Sequence, residues 1–219
     1  MLIANPNEAA AQVRATYLLR DGTTLTKDYA VPANSRFNIW VDEEQFPDGS
    51  GNRRLVNADL STTITSTNGV PIIVERAMWW PGPTPATWAE AHNSSGSTAT
   101  GTKWALADGE MGGTRGVETY ITIANTSAFA GQAKVTLYFE DGGPAVETTV
   151  ALPAQSRTNV YPPQSFPSAF SAGSDRRFAS VIESLGTAPA QIVVERSMYS
   201  NAGVVHWAAG TNALATRLR

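Results

Sequence analysis

The strongest constraint on the fold is an internal repeat. The stretch Ile72–Trp79 (IIVERAMW) returns as Ile192–Tyr199 (IVVERSMY), which places Glu75 and Glu195 120 positions apart. A chain of 219 residues with this spacing holds two units of about 100 to 120 residues, each large enough to bury its own core. We therefore predict two copies of one unit, each with this apolar run as its central strand.

Hydrophobic periodicity favours strands throughout the chain. The stretch from Val13 to Leu19 alternates in a period of two, as does its twin from Gln132 to Phe139, and such alternation indicates a strand with one buried face. The Asp-Gly pairs Asp21-Gly22 and Asp141-Gly142 then favour tight hairpin turns. We predict an all-β fold of two tandem antiparallel β-sandwich domains of immunoglobulin-like type.

The repeat also predicts the domain limits. We expect a first sandwich at 1–107, a Gly-rich linker at 108–116 and a second sandwich at 117–219. The first copy lacks the front of its opening strand, and an incomplete sandwich leaves an unpaired strand edge. Such an edge is a place for a neighbouring repeat or another chain to add a strand, for instance the segment Val204–Leu218 of a second copy.

Composition argues against several classes of partner. The 16 basic residues are scattered among 19 acidic ones, so no patch attracts a nucleic-acid backbone or an anionic membrane. No apolar run approaches the roughly 18 residues that span a bilayer, and the N-terminus lacks the features of a signal peptide. We expect a mature segment or a fragment of a longer protein. Without Cys there is neither a disulfide nor a thiolate metal site, and no cofactor is expected.

Several motifs together resemble a known family. They are Trp104–Gly109 (WALADG), Glu118–Asn125 (ETYITIAN), Asp141-Gly142, Ser156-Arg157 and Val194–Tyr199 (VERSMY). The set is similar to the tandem β-sandwich repeats of large secreted or surface-exposed bacterial proteins, whose units carry Trp-x-x-Ala-Glu-Gly, Ala-Asn-Pro and Glu-Arg-Ala-Met-Tyr motifs. Asp108 departs from the usual Glu. The resemblance implies non-catalytic modules at the cell surface, and it implies that Trp104–Gly109 opens the second unit while the first has no such opener.

The repeated Glu-Arg pair needs charged partners. Adjacent residues of a strand point to opposite faces, so Glu75 cannot pair side by side with Arg76. An unpaired buried charge costs several kcal/mol, and Arg36 and Arg157 are the repeated basic residues that could answer the glutamates. We predict a structural ion-pair network, with a ligand site as the alternative. Its members are Glu75, Arg76, Arg36, Glu195, Arg196 and Arg157.

A Trp-rich stretch of the first copy is the main candidate binding site. Indole rings stack on sugar rings and carboxylates bind their hydroxyls, so the stretch predicts a carbohydrate platform. Its members are Trp79, Trp80, Trp88, Glu90 and His92. The alternative is that these Trp side chains cap a sandwich or fill the interface between the two modules.

Catalytic alternatives are poorer. Glu90 and His92 share a strand face, but no third metal ligand accompanies them, so no metal site is predicted. Ser94 and Ser95 follow His92 without the Gly-x-Ser-x-Gly turn of hydrolases. We therefore expect a non-catalytic extracellular structural, adhesion or assembly module. A carbohydrate-binding module is the alternative, and a hydrolase of unrecognised type is the lesser one.

Overall fold

The fold is nearly all β, which confirms the predicted class. A computed structural model describes residues 1–46, 53–81, 88–171 and 173–219. Its helices, a 3₁₀ turn at Val41–Glu43 and an α-helical turn at Pro162–Ser165, are far too short to cross a membrane.

Strands β1 to β7 form the first unit, called sandwich one. They are β1 (Leu2–Asn5), β2 (Ala11–Leu19), β3 (Thr24–Val31), β4 (Ser35–Asn38), β5 (Leu60–Ser66), β6 (Ile73–Pro81) and β7 (Trp88–Ser95). They make sheet A, in the order β4-β1-β6-β7, and sheet B, in the order β3-β2-β5. All the pairings are antiparallel.

Strands β8 to β17 form the second unit, called sandwich two. They are β8 (Lys103–Leu106), β9 (Glu110–Gly112), β10 (Glu118–Asn125), β11 (Gly131–Phe139), β12 (Val146–Leu152), β13 (Ser156–Val160), β14 (Asp175–Ser184), β15 (Ile192–Ala202), β16 (Val205–Leu214) and β17 (Thr216–Arg217). Sheet C has the order β13-β10-β15-β16. Sheet D has the order β12-β11-β14-β8-β17, with β9 also paired to β14.

The two units share one plan down to strand register. Ala15 of β2 lies opposite Ile64 of β5, and the equivalent Val135 of β11 lies opposite Ile182 of β14. Strands β1 to β7 thus correspond in order to β10 to β16. Strands β8, β9 and β17 have no counterpart among the described strands of sandwich one.

Each pair of sheets encloses an apolar core. In sandwich two, Ile121 and Ile123 of sheet C meet Leu137 and Ile182 of sheet D, all fully buried. In sandwich one, one cluster contains Ile3, Val13, Val31 and Ile39, and a second contains Tyr17, Phe46 and Leu55. Burial raises the pKa of Tyr17 to about 12, so its hydroxyl stays protonated. It hydrogen-bonds the hydroxyl of Tyr29 at 3.0 Å.

A buried asparagine at the end of β1, and its equivalent at the end of β10, hydrogen-bonds to neighbouring segments of its own repeat. The Nδ2 of Asn125 donates to the carbonyl oxygens of Phe129 (3.0 Å), Leu152 (3.2 Å) and Pro153 (2.8 Å). The equivalent Asn5 donates to Ala9 (2.9 Å), Val31 (3.3 Å) and Pro32 (2.9 Å). Because these carbonyls are away from water, the amide supplies hydrogen bonds that they would otherwise lack. This is the physical reason for an Ala-Asn strand end in both copies.

The predicted domain limits differ from the positions where the sheets divide. The predicted limits place β8 in the first sandwich, yet it pairs with β14, and Trp104 and Leu106 lie in the core of sandwich two. Strand β9 falls in the predicted linker 108–116 and also pairs with β14. The sheets of the two units therefore divide between Ser95 and Lys103. The segment Val204–Leu218 lies in sandwich two of its own chain, mostly as β16 and β17.

Replacing the buried amide tests its role. We expect Asn125→Ala to lower the free energy of unfolding by about 3 kcal/mol, because it leaves buried carbonyls without donors. Urea unfolding followed by tryptophan fluorescence measures this. Asn93→Ala removes an exposed amide of β7 and is expected to change stability little. Equal effects of the two substitutions would contradict the role given to Asn125.

Candidate functional site

The outer face of sheet C, turned away from its own core, packs against the end of sandwich one. We call this contact the junction. Its residues in sandwich one are Arg76, Trp80 and His92 of sheet A, Leu60 of sheet B and the preceding Asp59. Its residues in sandwich two are Arg157, Asn159, Glu195, Tyr199, Trp207 and Gly210. The Nη1 of Arg157 donates to the Leu60 carbonyl at 2.6 Å. The Nδ2 of Asn159 donates to the carboxylate of Asp59 at 3.0 Å. The junction therefore involves both sheets of sandwich one.

An ion pair between the two repeated Glu-Arg strands lies within the junction. The Nη2 of Arg76 donates to Oε1 of Glu195 at 2.8 Å, and the two side chains are only 26% and 18% exposed. The same oxygen accepts from Nδ2 of Asn212 at 2.5 Å. Water has limited access here, so the charges stabilise each other more than an exposed surface pair does.

The predicted ion-pair network is corrected by this geometry. Glutamate and arginine side chains of the predicted network do form ion pairs, but among the described residues none joins Arg36 to Glu75 or Arg157 to Glu195. Arg196, the equivalent of Arg76, instead pairs with Asp108. The ion pair of Arg76 and Glu195 thus links one sandwich to the other, and that of Arg196 and Asp108 links β15 to the segment between β8 and β9. Alternation in the sequence indicates which face a charge takes, but not which surface packs opposite.

Arg157 is the second cation of the junction. Burial lowers the pKa of its guanidinium, and the nearby carboxylate of Asp59 acts in the opposite direction. Its Nε donates to Oδ1 of Asn159 at 2.7 Å. These bonds satisfy a half-buried cation without an ion pair to Glu195.

Trp80 fits closely against sandwich two. Its Nε1 donates to the carbonyl of Trp207 at 2.8 Å, and its ring meets Tyr199 edge-on with ring centres 5.4 Å apart. Gly210 lies directly under the indole, where a Cβ would stand 2.5 Å from a ring carbon. Only glycine permits this approach. The alternative reading of the Trp-rich stretch, interface packing, thus describes Trp80.

Trp207 has an unusual backbone that its neighbours stabilise. Its φ is +52°, a region that non-glycine residues rarely adopt. Its amide donates to Oδ1 of Asn201 at 2.9 Å and its Nε1 to Oε2 of Glu118 at 2.8 Å. The ring stacks on those of Tyr199 and His206, with ring centres 4.5 and 5.1 Å apart. This indole therefore has two aromatic neighbours.

Glu118 joins the aromatic side chains around the junction. Besides Trp207, its carboxylate accepts from the hydroxyl of Tyr120 at 3.1 Å. Burial raises the pKa of Tyr120, and the Glu118 charge raises it further. The Tyr120 ring stacks on Tyr161 at 5.0 Å. Sequence reasoning did not single out Glu118, Tyr120 or Trp207, although the first two belong to a quoted repeat motif.

His92 is enclosed at the junction without hydrogen bonds. Its ring lies 5.7 Å from that of Trp80 and 6.1 Å from that of Tyr199. Among the described residues neither ring nitrogen has a partner. Burial lowers the pKa of His92, and the Arg76 charge lowers it further, so the imidazole is neutral near pH 7. Ser94 and Ser95 therefore do not form a hydrogen-bonded nucleophile–base pair with it.

The predicted carbohydrate platform is divided between two surfaces. Trp79 and Trp80 point to opposite faces of β6, and the side chain of Trp88, the first residue of β7, lies outside the described residues. Glu90 is opposite Trp80 in register, and its carboxylate accepts from the amide of Ala91 at 2.8 Å. Nowhere in the described ranges do three or more His, Asp or Glu residues come together as metal ligands.

An exposed aromatic pair lies on the outer face of sheet A. Trp79 is 39% and Trp40 52% exposed, and the rings meet edge-on with centres 5.4 Å apart. Trp40 was not among the predicted binding residues. The sequence does indicate its direction, because alternation along 35–41 places Trp40 on the face opposite to Phe37 and Ile39.

No protein-family model and no curated protein matches this chain. Among solved structures it is similar to Thermotoga maritima 1070, at 18% identity over 53% of this chain and 94% of that chain, with a TM-score of 0.41. It is also similar to the Anabaena sensory rhodopsin transducer, at 25% identity over 46% of this chain and 86% of that chain, with a TM-score of 0.36.

The enclosure of His92 predicts acid-sensitive stability. The pKa of His92 is lowered below 6.5 in the folded state, so the unfolded chain binds the proton at a higher pH than the folded chain does. The free energy of unfolding therefore decreases as pH falls from about 6.5 through the lower pKa of the folded state. Urea unfolding at about pH 7.5 and about pH 5.5 measures the decrease. We expect His92→Phe to reduce it, while His206→Phe, at an exposed position, retains it. Identical pH dependence in wild type and His92→Phe would refute this account.

Proposed function

We propose that this chain is a non-catalytic structural module of an extracellular assembly, in which β-sandwich repeats lock together into a rigid unit. The observation that carries the proposal is the junction, where the ion pair between Arg76 and Glu195 connects the Glu-Arg strand of one repeat to that of the next. A residue pair that each copy repeats is thus used for contact between copies.

Three separate anchor points support rigidity. Arg157 and Asn159 bind Leu60 and Asp59 at one side of the junction, and the ion pair of Arg76 and Glu195 lies within it. The hydrogen bond from Trp80 to Trp207 forms a third anchor near β7 and β16. Domains joined at one point rotate readily, whereas contacts distributed across two sheets oppose rotation about any single hinge.

The extracellular and adhesive setting rests on other support. The motifs around Trp104–Gly109 and Val194–Tyr199 resemble repeats of secreted and surface bacterial proteins. The low fraction of charged residues and the many β-branched residues suit stacked sandwiches. Within this setting the chain acts as a spacer, adhesion or assembly unit.

Disruption of the junction tests the proposal. We expect the double substitution Arg76→Met, Trp80→Leu to lower the free energy of unfolding by about 2 kcal/mol or more and to increase the radius of gyration in small-angle X-ray scattering. Arg14→Met is the control, because the Arg14–Asp28 pair is exposed on sandwich one away from the junction. Unchanged scattering from the double variant would argue against a locked unit.

A carbohydrate-binding role is the second candidate, and the exposed pair of Trp40 and Trp79 favours it. Glu75 lies on the same face of sheet A and offers a carboxylate to sugar hydroxyls. A glycan array tests it: Trp40→Ala is expected to abolish any binding, whereas Tyr138→Ala removes an equally exposed aromatic side chain from sandwich two and leaves binding intact. No glycan binding by the wild type would remove this candidate.

A further inference from the structure

The edge of β5 in sandwich one matches an edge that is occupied in sandwich two. Thr62 and Ile64 of β5 are equivalent by register to Ser180 and Ile182 of β14. In sandwich two this edge pairs with β8, residue against residue, from Ser180 with Leu106 to Glu183 with Lys103. In sandwich one β5 is the last strand of sheet B, and no described strand pairs on its outer side.

Strand β8 completes sandwich two through backbone and side chains together. At the ends of the paired stretch, the amide of Ser184 donates to the carbonyl of Thr102 at 2.8 Å and that of Phe178 to Gly109 at 2.8 Å. Trp104 and Leu106 enter the core and are 2% and 6% exposed. A strand of Trp-x-Leu pattern thus supplies hydrogen bonds to an edge and two large apolar side chains to a core.

The edge residues of β5 are less buried than their equivalents in β14, as expected where no strand like β8 covers the edge. Ile182, Ser180 and Ser184 are buried beside β8. Their equivalents Ile64, Thr62 and Ser66 are only partly buried. Antiparallel register directs the backbone N–H and C=O groups of Thr62 and Ile64 away from β2, toward the uncovered side.

The sequence of β5 does not protect this edge. Leu60–Ser66 reads LSTTITS, without the charged residues or proline that commonly keep edge strands from pairing. The edge suits an extended strand that brings its own large apolar residues.

We propose that β5 is an acceptor site for an extended peptide strand of Trp-x-Leu pattern, which adds antiparallel to Thr62–Thr65 with its Trp opposite Ile64 and its Leu opposite Thr62. The partner chemistry is that of residues 102–106 of this chain. It requires no charge complement, because Thr65 stands where Glu183 binds Lys103 in sandwich two. The site at Thr62–Thr65 lies next to the junction, which includes the first β5 residue Leu60 through its bond from Arg157. The proposal does not depend on the proposed structural role.

A synthetic peptide with the sequence of residues 100–109 tests this on the intact chain. Binding is measured by fluorescence anisotropy of the labelled peptide, and the site is located by amide hydrogen exchange. We expect slower exchange at the amides of Thr62 and Ile64. A peptide with Ser in place of its Trp and Leu is expected to bind at least about tenfold more weakly, since it loses the apolar burial.

Two variants of the protein control the experiment. Thr62→Pro removes an outward N–H while the ladder to β2 remains, so it is expected to abolish peptide binding without loss of the folded near-UV spectrum. Thr63→Ser keeps the edge and is expected to bind like the wild type. Protection confined to other strands, equal binding of the two peptides, or dimerisation through β5 that excludes the peptide would each overturn the proposal.

Discussion

An arginine with little exposure to water stands at the same place in both repeats and requires an anion, and the two repeats meet this requirement differently. In sandwich two Arg196 pairs with Asp108, which lies between β8 and β9. Sandwich one has no such segment among its described strands, and Arg76 pairs instead with Glu195 of the other repeat. Leaving either guanidinium without a partner would cost several kcal/mol, so the ion pair couples the fold of one repeat to the position of the next.

The shared plan and the differences between the repeats have separate causes. The buried amides of Asn5 and Asn125 make the same set of bonds, and the strands pair in the same register, because each sandwich must satisfy its own backbone and fill its own core. The differences are concentrated where the repeats touch. Trp80 and Tyr199 do not occupy equivalent positions of the two repeats, and their rings pack against each other.

Junction packing also determines which surfaces remain for other partners. Trp80, His92 and Trp207 have aromatic or backbone neighbours and contribute to cohesion between the sandwiches. On the outer face of sheet A, Trp40 and Trp79 keep a large part of their rings in water. The division follows from strand geometry, since adjacent residues such as Trp79 and Trp80 cannot face the same way.

The sequence by itself determined the all-β fold, the internal repeat and the faces of the charged and aromatic residues. These follow from local patterns of period two, turn residues and self-similarity, which need no knowledge of what packs opposite. Tertiary structure alone decided that Arg76 binds Glu195 and that Trp80 is covered by sandwich two. Each of these depends on contacts between residues far apart in the chain, and alternation along one strand carries no information about the surface that meets it.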